Sequence, residues 1–202
     1  MKFIIGTKQN MTQIFDKEGR VHSATVLNTG PVIVTQVKSK EKDGYEAVQV
    51  GYGEKKEKKI NKAQKGHTKK LGNFRGFKEF RNTAEEYKIG DKIDISVFNE
   101  GDKIEISAIS KGKGFQGVVK RHGFHGGPRS HGQKHSEREP GSIGATGPQR
   151  VFKGTRMGGR MGTERVTIKK AQILQINKEN KQLIIKGAVP GRRGTLVEIK
   201  GN

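Results

Sequence analysis

The charged and the apolar residues of this chain are concentrated in different segments. Residues 54–81 contain 11 Lys or Arg against 3 acids, and residues 110–165 contain 12 against 3, so these 84 residues carry +17 of the formal +21. They hold only 16 of the 61 apolar residues, about 19% of their length, compared with about 38% in the other 118 residues. Only those 118 residues have enough apolar side chains to bury a core.

The longer basic segment has too few apolar residues to fold by burial. Among its 56 residues only 10 are apolar, whereas fixing the backbone costs roughly 1 to 2 kcal/mol per residue. We therefore expect residues 110–165 to be ordered by a binding partner.

The net charge indicates the nature of that partner. A protein of 202 residues with a charge of +21 is expected to bind a polyanion, either nucleic acid or an anionic membrane. No stretch approaches the roughly 18 consecutive apolar residues of a membrane helix, and the apolar start is too short for a signal peptide. We expect no membrane partner and an intracellular location. The absence of cysteine excludes disulfides, thiolate metal sites and cysteine nucleophiles.

The apolar part of the chain is predicted to be mainly β-structure. Short runs of β-branched residues recur between Gly, Asn, Asp and Pro, and about ten strands without a long amphipathic helix predict a closed β-barrel. The strands are expected at 2–6, 12–15, 21–27, 32–37, 46–52, 92–98, 103–109, 166–176, 183–187 and 195–200. Strands 92–98 and 103–109 are predicted to form a hairpin, and weak helical signals lie at 64–71 and 83–87.

This pattern also predicts the domain organisation. The barrel core would comprise residues 1–53, 82–109 and 166–202, with two basic excursions inserted into it. Residues 54–81 form a basic insertion, and residues 110–165 form a long extended loop rich in Gly, Arg, Lys and His.

One glycine motif permits two interpretations. Gly112, Gly114 and Gly117 match G-x-G-x-x-G, which in a βαβ unit would bind a dinucleotide and in a kinase would cover ATP phosphates. Neither context surrounds the motif here. The alternative is that these glycines let the backbone pass close to phosphates that nearby lysines neutralise.

Histidines and aromatic residues occur within the basic segments. Four histidines lie between His122 and His135, but they are separated by glycines without an apolar frame, so we expect no metal site. They can stack on bases or donate to phosphates, or they can simply be solvated. Six of the nine Phe are also in the basic segments. They either stack on unpaired bases or attach the excursions to the barrel, as we favour for Phe77, Phe80 and Phe115.

The cations and histidines of the two segments are the candidate nucleic-acid contacts. A lysine run inside a chain, between two strands, is better explained by phosphate contact than by solubility alone. The predicted RNA-binding residues are Lys55, Lys56, Lys58, Lys59, Lys69, Lys70, Arg75, Lys111, Lys113, Lys120, Arg121, His122, Arg129, His131, Lys134, His135, Arg138, Arg150, Lys153, Arg156, Arg160 and Arg165.

Several motifs, in order along the whole chain, resemble those of bacterial large-subunit ribosomal protein three, the L-three family. The principal match is Ala108-x-Ser110-x-Gly112-Lys113-Gly114-x-x-Gly117-x-x-x-Arg121. The other matching segments are 6–15, 34–38, 43–45, 140–144, 151–154, 157–162 and 186–191.

The resemblance implies a β-barrel of the translation-protein type that binds the 3′ part of the large-subunit ribosomal RNA and helps to nucleate subunit assembly. It also implies a long loop whose tip approaches the peptidyl transferase centre. By the same likeness, the tip comprises Ser142, Ile143, Gly144, Ala145, Thr146, Gly147, Pro148 and Gln149. The partners would be ribosomal RNA and neighbouring ribosomal proteins in the cytoplasm, with no catalysis, cofactor, metal or small-molecule substrate.

Two other classes of function are alternatives. An enzyme could use the glycine motif and the histidines on a nucleotide or RNA, although these candidates lie where the apolar content is lowest. A free RNA chaperone or translation factor could be built on the same barrel, and the absence of a nucleotide-binding domain counts against a GTPase.

Overall fold

A computed structural model describes residues 2–68, 71–81 and 87–201. It divides into two compact units: residues 1–109 with 165–202, and residues 110–164. The strands are β1 (Lys2–Phe15), β2 (Val21–Thr29), β3 (Val32–Lys38), β4 (Ala47–Glu54), β5 (Phe74–Arg81), β6 (Lys92–Ile93), β7 (Lys103–Ile109), β8 (Gly114–Gln116), β9 (Gly159–Met161), β10 (Arg165–Asn177), β11 (Gln182–Lys186) and β12 (Leu196–Gly201). The helices are α1 (Lys40–Asp43), α2 (Lys62–Thr68) and α3 (Val118–His122), with 3₁₀ turns at Glu57–Lys59, Ile95–Val97 and Ser136–Arg138.

The first unit contains a closed antiparallel barrel. Its strand order is β1-β12-β7-β10-β11-β2, and the alternation predicted for β7 directs Ile104, Ile106 and Ala108 into the interior. Ile4, Leu183 and other fully or nearly fully buried residues complete that interior. The mainly β fold and the closed barrel predicted from the sequence are thereby confirmed.

A second, four-stranded sheet packs against β1 of the barrel. Its order is β5-β4-β3-β6, and its apolar face packs against Phe3 and Ile5. Because neighbouring side chains of a strand point to opposite faces, Ile4 lies in the barrel core while the residues on either side of it lie in the second core. One strand thus serves two cores.

The predicted ten-stranded barrel is wrong in strand number, since six strands close it and four form the separate sheet. The predicted hairpin of 92–98 with 103–109 is also wrong. β6 pairs with β3, and β7 pairs with β10 and β12. After Ile93 the chain enters a 3₁₀ turn, which directs Ile95 and Phe98 together into the barrel core. The apolar residues Ile93, Ile95 and Val97 are spaced as in a strand, but the chain forms a 3₁₀ turn at Ile95–Val97.

The shorter basic segment contributes to the core, contrary to expectation. Residues 74–81 of the range predicted as an insertion form β5, which pairs with β4. Phe80 is buried, and its ring stacks on Phe3 with centroids 4.2 Å apart. The expectation that only the other 118 residues supply the core is wrong here, because a strand can expose its cations on one face and bury an aromatic ring on the other.

The helical signal at 64–71 overlaps α2, while most of the signal at 83–87 lies outside the described residues. Within the described ranges, no helix combines the length and the apolar character needed to span a lipid bilayer.

The substitution Phe80→Ala should test the core role of this ring. We expect a loss of about 3 to 5 kcal/mol in the free energy of unfolding, because truncation leaves a cavity against Phe3. Urea unfolding followed by far-ultraviolet circular dichroism measures it. Phe115→Ala is the matched control: this ring is 79% exposed, so we expect a change within about 0.5 kcal/mol. A similar small change for both variants would contradict the assignment of Phe80 to the core.

Candidate nucleic-acid interface

The unit of residues 110–164 begins and ends in a hydrogen-bonded base. The Ser110 amide donates to the Glu164 carbonyl at 2.9 Å, and the Glu164 amide donates to Ser110 Oγ at 3.2 Å. The Lys113 amide donates to the Met161 carbonyl at 2.9 Å, and β8 pairs with β9. The two ends of the loop are therefore fixed to each other.

Arg121 and His122 connect α3 to the returning chain. Arg121 Nη1 donates to the Met157 carbonyl at 2.7 Å, and His122 Nε2 lies 3.1 Å from the same oxygen. Both side chains are partly buried, unlike most other predicted contacts in this unit. Together with Lys111, Lys113, Ser110 and Glu164 they line a concavity in which cations outnumber acids. Such a concavity suits an anionic group.

The glycine motif does not occur in a dinucleotide-binding arrangement. Gly114 opens β8 with a φ of +68°, and Gly117 immediately precedes α3. β8 pairs antiparallel with β9, whereas a dinucleotide site requires a glycine turn between a strand of a parallel sheet and a long helix. The backbone freedom of these glycines is used to build the base of the loop.

Two other glycines that the sequence analysis did not single out are required by close approaches. Gly126 and Gly162 have φ values of +76° and +79°. A Cβ atom at Gly126 would lie 1.9 Å from the Glu137 carbonyl oxygen, and one at Gly162 would lie 2.0 Å from that of Lys111. Each close approach involves residues that are distant in sequence, so the spacing of the glycines could not predict it.

The distal part of this unit buries nothing. Every residue from 137 to 156 is exposed, and the buried class of the whole unit contains Val118 alone among the described residues. The exposed side chains include Ile143, Val151 and Phe152, whose ring lies 5.7 Å below the Arg150 guanidinium. Apolar groups and cations are thus presented together to whatever surrounds this segment.

The predicted loop tip is fully exposed and contains a turn. The Gln149 amide donates to the Thr146 carbonyl at 3.1 Å, and Ser142 Oγ donates to the Gly144 carbonyl at 3.3 Å. Ser142, Ile143, Gly144, Ala145, Thr146, Gly147, Pro148 and Gln149 are all exposed. A Cβ atom built at Gly147 would meet nothing within 4 Å, and its φ is not positive. The fold of the chain itself therefore does not require glycine at 147.

Most predicted RNA-binding side chains are exposed. This group comprises Lys56, Lys58, Lys59, Arg75, Lys111, Lys113, Lys120, Arg129, His131, Lys134, His135, Arg138, Arg150, Lys153, Arg156, Arg160 and Arg165. Lys55, Arg121 and His122 are partly buried, and Lys69 and Lys70 lie outside the described residues. Arg129 also donates to Glu137 at 2.7 Å.

The Arg165 guanidinium, like that of Arg129, is already paired with a carboxylate. Its Nη2 and Nη1 atoms lie 2.5 and 3.3 Å from the Glu198 carboxylate, and Lys78 Nζ lies 2.9 Å from that carboxylate. Burial acts to raise the pKa of Glu198, but the hydrogen bonds from Lys78 and Arg165 outweigh it and hold that pKa below the ordinary value. The three side chains connect β5, β10 and β12, a long-range arrangement that the sequence did not reveal.

The lysine run lies in the connection from β4 to β5. It includes the 3₁₀ turn Glu57–Lys59, and Glu57 pairs with Lys65 of α2 at 2.8 Å. At the other end of α2, His67 Nε2 lies 2.7 Å from Gln49 Oε1 on β4. The first contact closes the connection on itself and the second attaches it to the sheet, while Lys56, Lys58 and Lys59 remain exposed.

A neighbouring pair of charges is internal to the sheet. Lys38 Nζ donates to Tyr45 Oη at 2.6 Å and lies 2.9 Å from Glu79, and Tyr45 Oη donates to Glu79 at 2.9 Å. Hydrogen bonds to Tyr45 and Glu79 raise the pKa of Lys38, and the hydrogen bond from Lys38 lowers that of Glu79. These side chains connect β3 with β5 through Tyr45.

The aromatic rings of the basic segments have different surroundings. Phe80 is in the core and stacks on Phe3 of β1, so it attaches β5 to the barrel strand as favoured from the sequence. Phe77 contacts the rings of His67 and Phe74, which belong to the same basic segment. Phe115, for which the same role was favoured, has a ring that is 79% exposed. Among the described residues, no three His, Asp or Glu side chains are grouped closely enough to hold a metal ion.

Comparison with known proteins gives one family. Residues 77–188 match the model of the Ribosomal protein L3 family. The chain is 48% identical over 204 residues to "Large ribosomal subunit protein uL3" of Chlorobium limicola, with 98% of each chain covered. It is 47% identical to the protein of that name from Carboxydothermus hydrogenoformans, covering 98% of this chain and 96% of the relative. It is 46% identical to the protein of that name from Heliobacterium modesticaldum, covering 100% of this chain and 97% of the relative. The chain therefore belongs to the Ribosomal protein L3 family, as its motifs indicated.

Proposed function

We propose that this protein is a structural constituent of the large ribosomal subunit that binds large-subunit ribosomal RNA near its 3′ end. The observation that carries the proposal is the exposed stretch 137–156, which has cations and apolar groups but no burial of its own. Its relatives are named as proteins of the large ribosomal subunit. A segment of this composition is ordered when folded RNA surrounds it.

In this proposal, affinity comes from exposed cations on phosphates and selectivity from the shape of the folded RNA. Lysine and arginine neutralise phosphates and release counterions, and exposed rings such as Phe115 and Phe152 can stack on unpaired bases. Histidines of the loop can donate to phosphates or stack. The residues with this role are those predicted above, and Lys55–Lys59 form a second, smaller contact.

Two of the predicted contacts act mainly as positioning residues. Arg121 holds α3 against the returning chain, and Arg165 is paired with Glu198 at the start of β10. A guanidinium that already donates to a carbonyl or carboxylate has fewer donors left for phosphate. We propose that both orient the loop and that exposed neighbours such as Lys113 and Arg156 make the phosphate contacts.

The proposed organisation keeps the predicted division with one change, because β5 belongs to the core. Residues 1–53, 82–109 and 166–202 act as the core together with β5, 54–73 as a basic insertion, and 110–165 as the extended RNA-binding loop. The tip, Ser142–Gln149, has no Lys or Arg and extends toward the peptidyl transferase centre. The protein helps to nucleate subunit assembly, contacts neighbouring ribosomal proteins, and works in the cytoplasm without catalysis.

Binding of a transcript of the 3′ part of large-subunit RNA should depend steeply on salt. If about 6 to 12 phosphate contacts form, the plot of log affinity against log salt should have a slope of roughly −5 to −10. Replacing Lys113, Lys134, Lys153 and Arg156 by Gln should make that slope shallower by roughly 2 to 4. Filter binding across a salt series measures both.

The matched control removes the same charge from the first unit. Lys17, Lys103, Lys178 and Lys186 are also exposed, and replacing them by Gln should leave the slope within about 1 of the original. Equal changes in the two variants would show that the loop has no special contact with RNA.

A bulky residue at the tip should lower the rate of peptidyl transfer without lowering incorporation of the protein into subunits. We expect Gly147→Phe to leave the stability of the free protein and its incorporation into subunits nearly unchanged, because nothing in the chain contacts this position. The rate of peptidyl transfer by the variant subunits should fall. The two readouts are quantitative mass spectrometry of purified subunits and a peptidyl transfer assay.

The control for this experiment is Gly126→Phe. A side chain there would collide with the Glu137 carbonyl, so this variant should disturb the loop and lower incorporation itself. Normal peptidyl transfer by fully incorporated Gly147→Phe subunits would contradict the proposed position of the tip.

A further inference from the structure

Beyond the barrel, β1 and β2 continue as a two-stranded arm, residues 11–23. β12 pairs with β1 only over residues 2–7, and β11 pairs with β2 only over residues 24–28. Within the described residues, the outer edges of the arm therefore have no strand partner from Met11 to His22. A two-stranded hairpin without a packed face is marginally stable in water.

One face of the arm carries exposed apolar side chains. Phe15 lies opposite Val21, and Met11 lies two pairs further along the same face. These side chains are 61%, 54% and 50% exposed, respectively. Gln13 and Ser23 lie between them. A cluster of a phenylalanine, a methionine and a valine with uncharged polar neighbours has the composition of the centre of a protein interface.

The arm is electrically neutral in a chain of charge +21. Its charged residues are Asp16, Lys17, Glu18 and Arg20, which sum to zero. Arg20 pairs with Glu18 at 2.8 Å, and Asp16 accepts hydrogen bonds from the amides of Glu18 and Arg20. From Val21 to Val37 the chain has no Lys, Arg, Asp or Glu. The apolar face of the arm has no Lys or Arg to offer to phosphates, in contrast to the loop.

We infer that the apolar face of the arm, formed by Met11, Phe15 and Val21, docks onto an uncharged apolar surface of a neighbouring protein in the large subunit. This inference rests on the proposed function, which places the chain in a particle of RNA and protein. Neutral charge argues against RNA as the occupant, and the exposed apolar side chains argue against permanent solvent contact. Packing on a partner would also supply the stability that a two-stranded arm lacks.

Two exposed phenylalanines allow a matched photocrosslinking test. Phe15 is 61% exposed in the neutral arm, and Phe152 is 56% exposed in the basic loop. Each is replaced in turn by p-benzoylphenylalanine in the tagged full chain, in cells that assemble it into large subunits. Purified subunits are irradiated, and the products are analysed by mass spectrometry and by RNA primer extension.

The Phe15 probe should give one predominant product with another large-subunit protein, and the Phe152 probe should give products with RNA. Adding Met11→Thr and Val21→Thr should lower the yield at the Phe15 probe at least threefold, because threonine preserves strand propensity but removes apolar contact area. Lys17→Gln in the same arm should leave that yield unchanged.

Products of the Phe15 probe with RNA or with a second copy of this chain would overturn the inference. The lack of any product at Phe15, in particles where the Phe152 probe reaches RNA, would also overturn it. In these cases the proposed function stands. Absence of the chain from purified large subunits would overturn both.

Discussion

Burial of alternate side chains along β1 is the interaction on which the first unit depends. Ile4 packs inside the barrel, and Phe3 and Ile5 pack against the four-stranded sheet. Both cores therefore share one strand, and the sheet that supports the lysine run is attached through Phe80 on Phe3. Polar pairs such as Lys78 with Glu198 add contacts between β5 and β12 at the surface.

The second unit, by contrast, has almost no buried side chains. Its base is held by backbone hydrogen bonds and by Arg121, but the residues beyond it have little to bury. Apart from the bond of the Gly127 amide to the Glu137 carbonyl, the backbone hydrogen bonds described in the distal part are local, such as that of Gln149 with Thr146. Apolar and charged groups there remain available to a partner. By the same reasoning we propose a protein as the partner of the neutral arm and RNA as the partner of the cationic loop.

Sequence periodicity predicted most strands because a half-buried strand shows its buried face at every second residue. β2, β3, β7 and β12 were predicted nearly at their observed bounds. Periodicity does not indicate which strands pair, so one ten-stranded barrel was predicted where a barrel and a sheet exist. Ile95 was wrongly assigned to a strand. A 3₁₀ turn also directs apolar residues a few positions apart into one core, so its sequence pattern is similar to that of a short strand.

For the candidate interface, composition indicated the cationic segments, since exposure of Lys and Arg is the ordinary state of these residues. It could not indicate which cations are paired. Arg165 contacts a glutamate 33 residues away, and the close approach of Gly126 to Glu137 depends on the folded loop. Such long-range pairs follow from tertiary structure, which local patterns do not contain.

We expect the loop to be ordered by its partner and the barrel by its own core. Hydrogen exchange of the free protein and of purified large subunits tests this expectation most directly. In the free protein, amides of residues 137–156 should exchange almost as fast as in an unfolded chain, and in the subunit at least a hundredfold more slowly. The barrel strands should be protected in both. Equal protection of 137–156 in the free protein and in the subunit would show that the loop does not need a partner to become ordered.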